Sequence, residues 1–124
     1  MRLVVKAADL DRLQKKHGDE KSVAGYADEN KMIMFPMPKM FVVICNHDHL
    51  KLIQLNMNLE EKNIEKIPYS SIDKITIGGA VGKSITITAA DSKYKLLVKS
   101  LAGAIRSYQL KFLDRMAEIQ KEYV

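Results

Sequence analysis

The stretch from Ala102 to Tyr123, AGAIRSYQLKFLDRMAEIQKEY, constrains this chain more than any other. Leu101, Ile105, Tyr108, Phe112, Met116, Ile119 and Tyr123 recur every three or four residues, a spacing that predicts a helix with one apolar stripe. Arg106, Lys111, Arg115, Glu118 and Lys121 fall on the opposite, wet face. Such a stripe needs a surface to bury against, and most of what precedes it alternates with the two-residue period of β-strands. The helix therefore reads as a lid on a small sheet structure, and the chain as mainly β with a C-terminal helix.

Ahead of that lid the strands follow closely on one another. Phe41 to Cys45, FVVIC, reads as a buried strand with Leu50 to Leu55 as its hairpin partner across the turn Asn46 to His49. Neither face of LKLIQL is wholly polar. Asn56 to Lys62 reads as a polar turn, Asn63 to Ile67 as a strand ended by Pro68, and Tyr69 to Ile72 as a tight connection. In Asp73 to Ile77 the alternation places Ile75 and Ile77 on one face with Asp73. Ser84 to Thr88, SITIT, points Ile85 and Ile87 inward, and Lys93 to Val98 alternates Tyr94, Leu96 and Val98 with Lys93, Lys95 and Leu97. A first strand covers Ser22 to Asn30, with Gly25 marking a bulge. Ala7 to His17 reads as a short leader helix, with acidic residues near its start, lysines near its end and Gly18 to stop it. Seven strands joined by short turns imply an antiparallel meander curled under the helix.

At 124 residues the chain is expected to be one domain, with a leader helix over 1–18, strands over 22–99 and a capping helix over 102–123. Its single cysteine, Cys45, has no partner for an internal disulfide, which fits a reducing compartment. No stretch approaches the ~20 apolar residues of a membrane span, and MRLVVKAADLDRL meets acidic residues too early for a signal peptide. A soluble cytoplasmic protein is the expectation. The first 62 residues hold 10 basic and 9 acidic side chains and the last 62 hold 10 and 6, so most of the net +5 lies in the second half. The lysines are scattered singly and aromatic residues are few, so a nucleic-acid partner is not expected.

One segment breaks the pattern. Lys31 to Met40, KMIMFPMPKM, has two prolines that exclude an interior strand and four of the chain's seven methionines, so it is an unusually apolar loop. Its side chains either fold over the domain's own core or form a contact patch, for which the flexible thioether of methionine is well suited. The candidate contact residues for a partner or a lipid surface are Met32, Met34, Phe35 and Met37, flanked by Lys31 and Lys39.

Motifs that could carry chemistry are weak. Gly79, Gly82, Lys83 and Ser84 resemble a phosphate loop, but the first glycine would have to stand at Ile77, and a strand follows where a helix is required. Cys45, His47 and His49 have a metal-like spacing, with His17 available as a further ligand, yet Asn46 to His49 reads as the turn itself. Glu60 and Glu61 lie in a polar turn. No nucleophile elbow or acid–base pair in an apolar run is visible. Neither a catalytic residue nor a metal or cofactor site is expected.

The run IPYSSIDKITIGGAVGKSITITAADSKYKL, Ile67 to Leu96, resembles the bacterial pleckstrin-homology-like (PH-like) domains, in which a strand pair, a glycine break, an ITIT strand and a strand of alternating charge follow in that order. FVVICNHDHLKLI is similar to that family's upstream hairpin. The resemblance implies a seven-stranded antiparallel curled barrel capped by the C-terminal helix, and a binding module in place of an enzyme. The basic cluster with which eukaryotic relatives hold phosphoinositides is not reproduced, since the corresponding loop holds only Lys31 and Lys39 among methionines. The functional expectation is a noncatalytic scaffold acting through protein contacts or self-association. Binding to an anionic membrane through the Met-rich loop and its lysines is the alternative.

Overall fold

A computed structural model describes residues 5–31, 37–79, 82–99 and 103–123. The elements are α1 (Ala7–His17), β1 (Val23–Glu29), β2 (Met40–Cys45), β3 (His49–Leu55), β4 (Glu61–Pro68), β5 (Ile72–Gly78), β6 (Lys83–Ala89), β7 (Ser92–Val98) and α2 (Arg106–Tyr123). The strands form one antiparallel sheet in the order β4-β3-β2-β1-β7-β6-β5. Among the described residues no ladder joins β4 to β5, so the curl is open and not a closed ring of strands. The fold is mainly β with a terminal helix, consistent with a PH-like domain. No helix among the described residues is long and apolar enough to cross a membrane.

The sheet is hinged at β1. That strand pairs with β2 from Val23 to Asp28 but with β7 only at Asp28 and Glu29. Where β7 has splayed away, α2 takes its place. The side-chain amide of Gln109, itself buried, accepts the Tyr26 N–H and donates to the Tyr26 carbonyl, both at 2.8 Å. A glutamine amide carries the donor and acceptor of a peptide group, so here it substitutes for the missing neighbour strand.

The lid makes its closest approach one strand residue away. Gly25 was expected to mark a bulge, but the β1–β2 register runs through it without a break. A Cβ at this position would lie 2.3, 2.4 and 2.6 Å from atoms of Phe112, so the glycine is the seat on which that ring rests. Phe112, Met116 and Ile119 are fully buried over a core drawn from both halves of the sheet, including Val43, Leu52, Ile85 and Leu96. At the far end of α2, Tyr123 packs on Tyr69 with centroids 4.9 Å apart, and the guanidinium of Arg115 lies 6.0 Å from the Tyr69 ring. The buried Tyr69 hydroxyl donates to the Asn46 carbonyl at 2.6 Å, tying the β4–β5 corner to the β2–β3 turn.

A second core lies on the outer face of the sheet. Leu10 and Leu13 of α1 pack with Val42, Ile44, Ile53 and Leu55, so β2 and β3 are apolar on both sides because α1 covers the side that α2 does not. Two other details depart from the expectations. The register of β5 shifts between Ile72 and Lys74, so Ile72 is buried, Asp73 is exposed, and Asp73 does not share the inward face of Ile75. Gly103–Ile105 forms a 3-10 turn with Gly103 at a φ of 81°, so the α-helix begins at Arg106 and not at Ala102. Leu101 and Ala102 lie outside the described residues.

Candidate functional site

The connection between β1 and β2 and the turn between β3 and β4 lie at the same end of the sheet, away from α2. Between them runs a groove of about 490 Å³, lined among others by Lys31, Met37, Lys39, Leu55, Met57 and Lys62. Met37 is 52% exposed and Met57 43%, which makes an apolar floor open to solvent. The turn that carries Met57 is pinned from two sides. Asn56 Oδ1 accepts the N–H groups of Asn58 and Glu60, and Leu59, at a φ of 61°, tucks its side chain into the outer core. The exposure of Met57 is therefore imposed by its neighbours. Of the charges on the rim, Lys31 lies 4.0 Å from Glu29, whose carboxylate also accepts the Lys39 N–H.

Of the sequence candidates, Lys31, Met37 and Lys39 meet at this groove, while Met32, Met34 and Phe35 lie outside the described residues. Met57 and Lys62 were missed. The available signal was a methionine placed between two asparagines in an otherwise polar turn.

A second hollow of about 330 Å³ adjoins the first through Glu29, Lys39 and Gln54 and opens into the mouth of the curl, where Phe41, Leu52 and Leu96 form its apolar wall. The Tyr94 hydroxyl spans the open seam and donates to Glu65 Oε1 at 2.9 Å. Lys93 and Lys95 stand on its rim.

The polar residues with metal-like spacing do not converge. Cys45 is fully buried in the core under α2, its Sγ 3.9 Å from the sulfur of Met116. His47 Nδ1 lies 2.6 Å from Asp19, His49 Nδ1 lies 2.6 Å from Asp48, and His17 Nε2 lies 2.5 Å from Glu61. Among the described residues no group of three His, Cys, Asp or Glu side chains is disposed to hold a metal ion. The His17 and His47 pairs fasten the end of α1 and the loop after it to the sheet, while the His49 pair lies within the β2–β3 turn. Asn46, nearly inaccessible, completes the fastening by accepting the Asp19 N–H and donating to the His17 carbonyl. Burial would raise the Asp19 carboxyl, but hydrogen bonds from the His47 backbone and ring and from the Lys21 N–H hold it below its usual range. The Lys16 ammonium, assisted by His17, does the same for Glu61.

The glycine-rich turn is no phosphate loop either. Strand β6 begins at Lys83, whose ammonium reaches back to the Gly79 carbonyl at 3.3 Å.

Burial pushes the Cys45 thiol up to about 12, so it stays protonated and inert at neutral pH. A water-soluble thiol reagent added to the native chain should modify Cys45 only as fast as the domain opens. Complete reaction within seconds in buffer without denaturant would mean that the core over Cys45 is not closed.

The fold, mainly β with a terminal helix, is consistent with a PH-like one, and the groove gives it an apolar, lysine-edged mouth. Comparison of the sequence with protein families and with curated proteins returns no match. Among solved structures, the hSac2 domain from the human phosphoinositide phosphatase Sac2 is similar in fold, with a TM-score of 0.57 over 91% of this chain and 79% of that one. The two are 8% identical in sequence, a likeness of fold alone.

Proposed function

We propose that this chain is a noncatalytic PH-like binding module, akin to the bacterial members of that class, that docks another protein or a further copy of itself through the groove between its β1–β2 and β3–β4 connections. The observation that carries this reading is the placement of Met37 and Met57, each about half exposed, in one open groove, Met57 on a turn the fold holds in position. Exposed apolar patches usually mark contact surfaces, and methionine adapts to varied partners. A noncatalytic role is supported by the engagement of His17, His47, Asp19 and Glu61 in tying the end of α1 and the loop after it to the sheet. The free, buried Cys45 fits a reducing cytoplasm.

Replacing Met37 and Met57 together by aspartate tests the reading. Light scattering across a concentration series should show self-association of the parent chain, weakened about tenfold or more in the double variant, at unchanged thermal stability. A parent chain that stays monomeric at high concentration, with the variant indistinguishable from it, would remove self-association.

The second reading is contact with an anionic membrane surface. It is favoured by Lys31, Lys39 and Lys62 around the groove, by Lys93 and Lys95 beside the adjoining hollow, and by the likeness to a domain from a phosphoinositide phosphatase. Sedimentation with anionic vesicles at low salt separates the two. Enrichment on such vesicles that salt reverses would favour this reading over the first, and none at low salt would dispose of it.

A further inference from the structure

The open sheet has two edges, and among the described residues only the β5 edge is covered. Along β5, α2 packs against the strand and Gln120 Nε2 donates to the Ile75 carbonyl at 2.6 Å. Along β4, Lys62, Asn63, Ile64, Glu65 and Lys66 are all exposed, and Ile64 is 45% exposed despite standing opposite the fully buried Ile53.

The ladder shows which backbone groups face outward. The Asn46 N–H donates to the His49 carbonyl and the Tyr69 N–H to the Asp48 carbonyl, so odd-numbered residues of β3 bond to β2 and even-numbered ones to β4. Leu50, Leu52 and Gln54 therefore face Ile67, Glu65 and Asn63. The ladder skips Lys62 at a bulge, and beyond it the N–H and C=O groups of Ile64 and Lys66 point away from the sheet. Their side chains share the outer face, because Glu65 turns inward to Tyr94. On that face Lys66 stands directly opposite Lys51, so the edge carries a basic pair beside an exposed isoleucine.

We propose that the β4 edge takes up an extended segment of a partner protein by strand addition, with an acidic side chain opposite Lys66 and an apolar one opposite Ile64. A second copy of this chain does not fit. Pairing two β4 strands about a two-fold axis sets Glu65 or Lys66 against itself where the strand is regular, and a register centred on Asn63 or Ile64 runs into the bulge at Lys62. Like charges disfavour the first two registers and the interrupted ladder disfavours the others. This surface is separate from the Met37 and Met57 groove, and the proposal does not rest on the role given to that groove.

The test uses the full chain and two short capped peptides, one reading glutamate, threonine, valine, threonine, glutamate and the other with lysines in place of the glutamates. Fluorescence anisotropy should show the acidic peptide binding about tenfold or more tightly than the basic one, and its addition should slow hydrogen exchange at the Ile64 and Lys66 amides. Ile64→Pro, which removes an outward N–H and leaves the β3 ladder intact, should abolish binding. Lys51→Glu with Lys66→Glu, a facing pair on the outer face, should reverse the preference between the peptides. Equal binding of both peptides, no preference reversal in the charge variant, or protection confined to other strands would overturn the proposal. So would protection of those amides in the peptide-free chain that grows with protein concentration, because a second copy would then occupy the edge.

Discussion

Replacing Phe112 by alanine should lower the stability of the domain by about 3–5 kcal/mol, a large share of the ~5–15 kcal/mol that holds a domain of this size folded. The ring is fully buried and lies on the backbone of β1 at Gly25, which has no side chain to fill the space the ring would leave. The reciprocal change, Gly25→Ala, drives a methyl group into the same ring at 2.3–2.6 Å and should cost about 1–3 kcal/mol through overpacking. The two losses should not add. With both changes present the new methyl meets no ring and fills part of the cavity, so the double variant should be more stable than the sum predicts by about 1 kcal/mol or more. Urea unfolding with an unchanged slope measures all three. Strict additivity would show that Phe112 and Gly25 are not in contact, and that the lid sits elsewhere on the sheet.

What the sequence disclosed depends on how local the cause is. The alternation in SITIT places Ile85 and Ile87 inside because one face of β6 is wet, and nothing beyond the strand is needed to see it. The two apolar faces of LKLIQL were also visible, but their reason lies in α1 forty residues upstream, whose leucines cover Ile53 and Leu55. Gly25 could not be read correctly from its own neighbourhood. A glycine inside a strand means either a bulge or the close approach of another group, and here the group comes from the last helix. The shift at Asp73 leaves a run that alternates equally well in either phase, so only the pairing with β6 shows that Ile72 is buried.

The candidate site follows the same rule. Met37, Lys31 and Lys39 stood out because an apolar, proline-bearing loop is anomalous on its face. Met57 and Lys62 join them only because the β2–β3–β4 meander returns the chain to the same end of the sheet, a fact of topology that no single window contains. The free β4 edge was equally hidden, since which of two edge strands the helix covers depends on where α2 lands.

The interaction that the apolar stripe of α2 concealed is the most specific in the fold, and it sets the second large expectation. Gln109 sits among the buried residues of α2 and would be scored as a polar interruption, yet it supplies both hydrogen bonds that β1 lacks at the hinge. Gln109→Leu keeps the volume and removes both partners, leaving the Tyr26 N–H and carbonyl unpaired under a helix, and should cost about 2–5 kcal/mol. Gln109→Glu separates hydrogen bonding from packing. A protonated glutamic acid can accept the N–H and donate to the carbonyl as the amide does, whereas a carboxylate can only accept and is penalised by burial. The folded-state pKa of Glu at this position should therefore lie above its unfolded value of about 4.3. The sign follows from linkage: the variant should be close to the parent chain in stability below the unfolded pKa and should fall progressively behind it as pH rises through the folded one. Urea midpoints of the parent chain and of both variants from pH 4 to pH 8 would measure this. A constant gap between Gln109→Glu and the parent across that range would mean that the side chain reaches water, and that the hinge of the sheet is held by something other than this amide.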